Sequence, residues 1–352
     1  MKIELSKKLK EKPVDESKIG FGNIYTDHML IMEYKDGAWD DGKIVPYGNI
    51  SLDPCAMCFH YGQTIFEGLK AYRTEDDRIL LFRPEENLKR MNLSCERLCI
   101  PKIDEKKCLE ALIELIKIEK DWVPKSQEAS LYIRPFIIAT QPNLGVCPSS
   151  SYYLIIVLSP SGAYYKDGLK PVDIYVETDY VRAVRGGVGM AKCGGNYAAS
   201  LKSQVKAYDG GFSQSLWLDG VDRKYIEEVG AMNIFFVLEG EIVTPEINGS
   251  ILDGITRKSV IEILKRNGYN VRERLISIDE ISDSYDMNRV KEIFGTGTAA
   301  VISPVGSLKW NDKLMDVGRD KCGDISKFLY DTLTGIQRGK VSGYDDWIME
   351  VK

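Results

Sequence analysis

Apolar positions along the chain repeat with two different periods. The run "ILLFR" (79–83) is short, continuous and apolar, as a buried strand is. Pro84 follows it where proline opens helices, so "PEENLKRMNLSCERLCI" (84–100) is predicted as a helix. In "KKCLEALIELIKIEKDW" (106–122) the apolar residues recur at helical spacing, and Pro124 ends the pattern. "SLYIRPFII" (130–138) and "YYLIIVL" (152–158) read as strands, the latter far too short to cross a membrane. Beyond 171, short strands are predicted at 172–177, 215–218, 225–229, 233–238, 271–276 and 291–294, with turns between them. Helices near 196–209, 255–267 and 323–337 interrupt that series. Asp253 and Thr256 sit at the start of the second of these helices and Gly268 at its end.

The order of elements is that of an α+β (mixed α/β) protein. It divides into a small α/β domain over residues 1–160 and a larger, barrel-like domain over 172–352. The Ser-, Gly- and Pro-rich stretch "SPSGAYYKDGLKP" supplies the linker, 161–171. At 352 residues, 44% hydrophobic and 28% charged, the chain has the composition of a soluble globular protein with ample core. A net charge of −5 argues against nucleic acid or an anionic membrane as the main partner. The N-terminal lysines come without an apolar segment behind them, and the first arginine is Arg73, which fits neither a secretory signal nor a transit peptide. A cytoplasmic location is expected.

Candidate chemistry narrows quickly. Of eight cysteines only Cys55 and Cys58 are spaced C-x-x-C, and the two histidines, His28 and His60, supply few ligands, so reduced cysteines and no metal site are expected. No G-x-S-x-G occurs, and a Ser-His-Asp arrangement is poorly supplied. "GTGTAA" (295–300) matches a dinucleotide loop in form, but "VISPVG" behind it cannot open the helix such a loop requires. A tight turn exposing backbone N–H groups remains, suited to a carboxylate or phosphate. "LDGITRKSV" (252–260) offers a second anion site at the N–H groups of Ile255 and Thr256, and Arg83 a third. In "GMAKCGGNYAAS" (189–200), Lys192 stands among small residues that would let a flat ring approach, although a Gly-rich loop explains the same letters. A lysine is nucleophilic only when neutral, so imine chemistry there requires desolvation.

Taken in order, "FGNIYTDHML" (21–30), "HYGQTIFEGLKAY" (60–72), "LFRP" (81–84), "SLYIRP" (130–135), "GGVGMAKCGGNYAAS" (186–200), "EEVGAMNIFFV" (227–237), "LDGITR" (252–257) and "FGTGTAA" (294–300) resemble the branched-chain amino acid aminotransferases. The resemblance covers the chain from about residue 20 onward. It implies the D-amino-acid-transaminase-like fold (fold type IV), pyridoxal 5'-phosphate as cofactor and a homodimer. The implied reaction moves the amino group of leucine, isoleucine or valine to 2-oxoglutarate, giving glutamate.

The same resemblance implies residue roles. Lys192 matches the Schiff-base lysine that also moves the substrate proton, and Tyr197 the partner of the cofactor's phenolic oxygen. Glu228 matches the carboxylate on the pyridine nitrogen, with Glu227 on the opposite strand face as its decoy. Arg83, Ile255, Thr256 and Thr298 match the phosphate cup, and Thr298 with Ala299 the turn that holds the substrate α-carboxylate. Phe21, Tyr61, Phe66, Tyr132, Arg134 and Tyr164 match the substrate pocket, which must accept an aliphatic side chain and glutamate's second carboxylate in turn. Two departures stand out. The C-x-x-C that mammalian members carry after the glycine turn is replaced by Ala300 and Ser303, so no redox switch is expected there, and a common threonine is Ala231. Other enzymes of this fold, D-amino-acid aminotransferases and aminodeoxychorismate lyases, are the alternatives, with a catalytically silent scaffold as a third.

Overall fold

The structure, a computed structural model, describes residues 1–162 and 169–352. Its contacts divide the chain into two compact units. The first holds the described residues before 163 together with Ala191–Gly194 and Gly335–Lys352. The second holds the remaining described residues, through Met190 and over Gly195–Thr334. A single cut at 161–171 therefore does not reproduce this division, because two later segments join the N-terminal residues.

The first unit is built on a ten-stranded sheet. Its strands are β1 (Lys2–Ile3), β2 (His28–Lys35), β3 (Ala38–Trp39), β4 (Lys43–Pro46), β5 (Thr64–Phe66), β6 (Leu69–Arg73), β7 (Ile79–Phe82), β8 (Ser130–Ala139) and β9 (Tyr152–Ser161). A late strand, Ile348–Glu350, pairs antiparallel with β7 and completes the sheet. Helix α1 (Met57–Tyr61) is short; α2 (Pro84–Arg97) and α3 (Glu105–Ile118) pack on each other, with α2 against β5 and α3 against β2. Leu88, Met91 and Cys95 of α2 and Leu112, Leu115 and Ile116 of α3 are buried, one apolar stripe per helix. The predicted 106–122 helix ends earlier, because the chain tightens into a 3-10 turn over Lys120–Trp122 before Pro124.

The second unit carries a nine-stranded sheet made of β10 (Val172–Val176), β11 (Gln214–Leu218), β12 (Ile226–Val229), β13 (Met232–Leu238), β14 (Glu241–Thr244), β15 (Val271–Glu273), β16 (Val290–Gly297), β17 (Val301–Trp310) and β18 (Lys313–Asp316). The late strand of the first unit is β19. The order β12-β11-β10-β17-β16-β13, with β12 also paired to β13, closes a ring of six strands. Closure leaves none of these six strands as an edge, and Ile174, Leu216, Val229, Ile234, Phe236 and Leu308 pack in its core. Helices α4 (Gly194–Asp209), α5 (Ile255–Arg266), α6 (Ile278–Asp286) and α7 (Asp324–Gln337) follow the strands. The α+β class and the barrel-like sheet agree with the sequence. The predicted strand over 271–276 is shorter, because Ser277 caps α6 by accepting from the Glu280 N–H.

Candidate active site

Lys192 belongs to the first unit, where the 191–194 segment is stitched to two elements. The Phe66 N–H donates to its carbonyl at 2.9 Å, and its own N–H donates to Ser94 Oγ of α2 at 2.9 Å. Cys193, buried beside it, forms an isolated β-bridge with Ile65. The Lys192 amine lies 4.7 Å from the centre of the Phe66 ring. Loss of water around it lowers its pKa from 10.5 to about 8, the Arg90 guanidinium pushes in the same direction, and Glu67 opposes. A measurable fraction is thus neutral near physiological pH, the condition that a nucleophilic amine must meet.

Glu67 is fully buried and held from three sides. Arg90 Nε and Nη2 donate to its two oxygens at 2.8 and 2.9 Å, Asn87 Nδ2 donates at 2.8 Å and the Gly68 N–H at 3.1 Å. Burial alone would raise its pKa; Arg90, Lys192 and Asn87 together outweigh that and leave it lowered. Asn87, Arg90 and Ser94 recur at helical spacing on α2 and form a polar stripe beside the apolar one. None of the four was singled out from sequence, although a buried stripe of this kind is signalled by polar residues at helical spacing next to core positions.

Near Lys192 in chain contacts lies an aromatic and cationic group. The Arg134 guanidinium stacks 4.6 Å from the Phe66 ring and 5.2 Å from the Tyr132 ring, and its Nη2 donates to Tyr132 Oη at 2.8 Å. Arg134 Nε is buried without a partner among the described residues. Phe21 meets Tyr132 edge-on at 4.9 Å. The structure thus gathers Phe21, Phe66, Tyr132 and Arg134. Tyr61, at the end of α1, donates its hydroxyl to the Leu144 carbonyl. Tyr164 lies outside the described residues. Arg83 adopts a left-handed conformation (φ 47°), donates its N–H to the Trp347 carbonyl at 2.7 Å and stacks its guanidinium 4.7 Å from the Trp347 ring. A non-glycine residue in that region is uncommon and marks a constrained position.

In the second unit Glu227 and Glu228 are both buried on β12 and face opposite ways. Glu228 Oε2 pairs with Arg182 Nε at 2.7 Å, an ion pair rather than an aligned hydrogen bond. Its Oε1 accepts from Asn233 Nδ2 at 3.1 Å and from the Leu252 N–H at 3.3 Å. Glu227 accepts from the Ser250 hydroxyl, its Oε2 has no partner among the described residues, and burial raises its pKa. The two neighbours thus differ sharply: Glu228 is charge-compensated, and Glu227 is pushed toward its neutral form.

Helix α5 begins at Ile255 as expected, but no side chain caps it: its N-cap is Gly254, and Asp253 is engaged with Lys258 at 2.8 Å. With no side-chain cap at Gly254, the start of this helix offers first-turn N–H groups and a dipole that suit an anion. Thr298, Ala299 and Ala300 form the turn between β16 and β17, closed by Val301 at φ 63°. A β-branched residue in that conformation is a true outlier, of the kind that collects at binding sites. Tyr197 lies in the first turn of α4, which Asn196 anchors by donating to the Val188 carbonyl at 2.8 Å. Gly189, read from sequence as clearance for a ring, has another reason to be glycine. A Cβ there would lie 2.1 Å from the Ser250 carbonyl oxygen.

Comparisons with known proteins agree with one another. A family model described as amino-transferase class IV matches residues 64–308. The chain is 57% identical over its whole length to branched-chain-amino-acid aminotransferase 2 of Bacillus subtilis, covering 97% of that protein. It is 47% identical to a branched-chain-amino-acid aminotransferase of Mycolicibacterium smegmatis, over 94% of this chain and 91% of that one. Among solved structures, the branched-chain amino acid aminotransferase of Escherichia coli superposes with a TM-score of 0.77 at 28% identity, over 93% of this chain and 99% of that one. The branched-chain amino acid aminotransferase of T.th., complexed with N-(5'-phosphopyridoxyl)-L-glutamate, superposes at 0.75 with 27% identity, over 95% and 99%.

Proposed function

The chain belongs to the class IV amino-transferases, and from that premise we propose that it is a branched-chain-amino-acid aminotransferase using pyridoxal 5'-phosphate. The residues fit such a cofactor by their chemistry: an amine whose pKa is lowered, a charge-compensated buried carboxylate, an arginine and a helix start without a side-chain cap. When bound, pyridoxal phosphate supplies an aldehyde carbon and a ring that withdraws electrons from the substrate Cα. Lys192 Nζ would be the amine facing that carbon and the base for the substrate Cα proton. Glu228 would hold the proton on the pyridine nitrogen, and Tyr197 would meet the phenolic oxygen. Arg83, Thr298 and the N–H groups of Ile255 and Thr256 hold the phosphate. Thr298 and Ala299 receive the substrate α-carboxylate.

The observation that carries the substrate reading is Arg134 between the Phe66 and Tyr132 rings. Aromatic faces suit leucine, isoleucine and valine, and the guanidinium with its unpartnered Nε suits the second carboxylate of glutamate or 2-oxoglutarate. Tyr61 and Tyr164 are assigned to the same pocket by family resemblance. A homodimer is the proposed assembly. Phe59 and Tyr61 of α1 and Leu144, whose carbonyl accepts from Tyr61, are exposed by 62, 40 and 61%, apolar surface that a second copy would cover. No helix among the described residues is long and apolar enough to cross a membrane, and a cytoplasmic location is proposed.

The test incubates purified protein and pyridoxal phosphate with each amino acid and 2-oxoglutarate, measuring glutamate. Turnover of leucine, isoleucine and valine is expected; turnover of D-alanine in their place would move the protein to the D-amino-acid branch of the fold. Absence of any cofactor absorbance band after reconstitution would favour a silent scaffold.

A further inference from the structure

One side chain in the second unit joins two features that the proposed function uses separately. Asn233, on β13 and 5% exposed, lies opposite Glu228 in the β12–β13 pairing and opposite Thr296 in the β13–β16 pairing. Its Nδ2 donates both to Glu228 Oε1, at 3.1 Å, and to the Leu252 carbonyl, at 2.9 Å. The Leu252 N–H returns to the same Glu228 oxygen at 3.3 Å. On its other side, Asn233 Oδ1 fills the space beside Gly254, where a Cβ would come within 2.0 Å of it. Gly254 is the N-cap of α5, so the asparagine amide braces the carboxylate and the start of the helix at once.

The chemistry of the position is narrow. Two donors on one nitrogen serve two acceptors, and one flat oxygen fits against a residue without a side chain. An aspartate would set a second carboxylate against Glu228, and a leucine would take the Asn233 donor from the Leu252 carbonyl and leave Glu228 Oε1 with the longer Leu252 N–H bond in its place.

We propose that Asn233 is a positioning residue that locks the Glu228 carboxylate and the N-terminus of α5 into one rigid receptor, so that a ring nitrogen and a phosphate on one ligand are recognised together at a fixed spacing. This inference rests on the roles proposed above for Glu228, Ile255 and Thr256. With Asn233 in place, neither group has to be ordered when the ligand arrives, and the affinity that ordering would cost is retained. Gly254 is part of the same device, since any side chain there would drive Asn233 out.

Apoprotein freed of cofactor is titrated with pyridoxal phosphate and, separately, with inorganic phosphate, following absorbance and tryptophan fluorescence. In N233A both ligands bind about tenfold or more weaker, as loss of hydrogen bonds to a charged group implies. This includes inorganic phosphate, which has no ring nitrogen to meet Glu228. G254A weakens both in the same way in the parent, but N233A removes the obstacle, so N233A/G254A binds no worse than N233A alone. Val243→Ala, which weakens the same core away from the site, lowers the melting temperature without moving either affinity. Should N233A not fold, N233S, too short to span both acceptors, is read identically. Unchanged phosphate affinity in N233A, or additive losses in the double variant, overturns the inference. A parent protein that binds no pyridoxal phosphate overturns instead the functional reading on which it stands.

Discussion

Arg90 grips Glu67 with two nitrogens, at 2.8 and 2.9 Å, and both side chains are withdrawn from solvent. The pair bears on Lys192 with opposite signs: Arg90 disfavours the ammonium and Glu67 favours it. Removing the negative member alone tips that balance. Glu67→Gln keeps a hydrogen-bonding shape yet leaves Arg90 uncompensated, and the Lys192 amine should titrate below its present value of about 8. The pH dependence of amine modification at Lys192 in the apoprotein measures this. The variant should also lose about 3 kcal/mol of stability in urea melts, as one-sided removal from a buried pair does. A profile that stays where it was removes Glu67 from any part in tuning the lysine.

The same lysine makes stability depend on pH. Its pKa is about 8 folded against 10.5 unfolded, so between those values the unfolded chain binds a proton that the folded one does not. The contribution of Lys192 to apoprotein stability therefore rises from about pH 8 to 10.5, by at most about 3 kcal/mol. Buried Lys70, also lowered to about 8, adds a rise of the same sign, so Lys192→Met should remove one share of that limb, and it should abolish turnover. Comparison of urea midpoints at pH 7.5 and 9.5 for the two proteins is the measurement.

Glu227 and Glu228 invite a direct contest. Glu228→Gln should leave pyridoxal phosphate bound and slow turnover about a hundredfold or more, because the ring nitrogen loses its charged partner. Glu227→Gln removes a group already pushed toward neutrality and keeps the Ser250 bond, so turnover should change by less than about threefold. The opposite ranking would exchange the two roles.

Arg134 and Gly68 meet at Tyr132, in the pocket proposed above for the substrate side chain. A Cβ on Gly68 would lie 2.2 Å from Tyr132 Oη, the atom that accepts from Arg134. Gly68→Ala should displace the phenol and raise KM for 2-oxoglutarate more than KM for leucine. Arg134→Leu should go further, cutting kcat/KM for 2-oxoglutarate by about 10- to 100-fold while the leucine half-reaction, followed by single-turnover absorbance, changes little. Equal losses for both substrates would assign Arg134 to the fold rather than to recognition.

Sequence pattern carried most of the secondary structure wherever local signals were strong. Pro84 does open α2, and the period of 3.6 in α3 does bury its apolar stripe. Strand β17 carries Pro304 and Gly306, which blur a strand signal, and the ladder accommodates them with a register shift opposite Val172. In the site, local letters could raise suspicion of Lys192 but could not reach Glu67, Arg90, Arg182 or Asn233. Their significance comes from burial and pairing across distant segments, which no window of sequence displays. Gly189 shows the converse: a small residue beside a lysine suggested room for a ligand, while the Ser250 carbonyl is what excludes a side chain.

The pairing of β7 with β19 also has a consequence in time. Residues 79–82 are synthesised early, but their strand partner at 348–350 emerges from the ribosome only after the entire second unit has been made. Arg83 likewise waits for Trp347 before its guanidinium has a ring to rest on. At cellular rates of about 5–20 residues per second, the first unit stands with an open edge for many seconds. A chain whose translation is aborted anywhere before that strand would present β7 as an exposed edge with Arg83 unsupported, open to pairing with another chain.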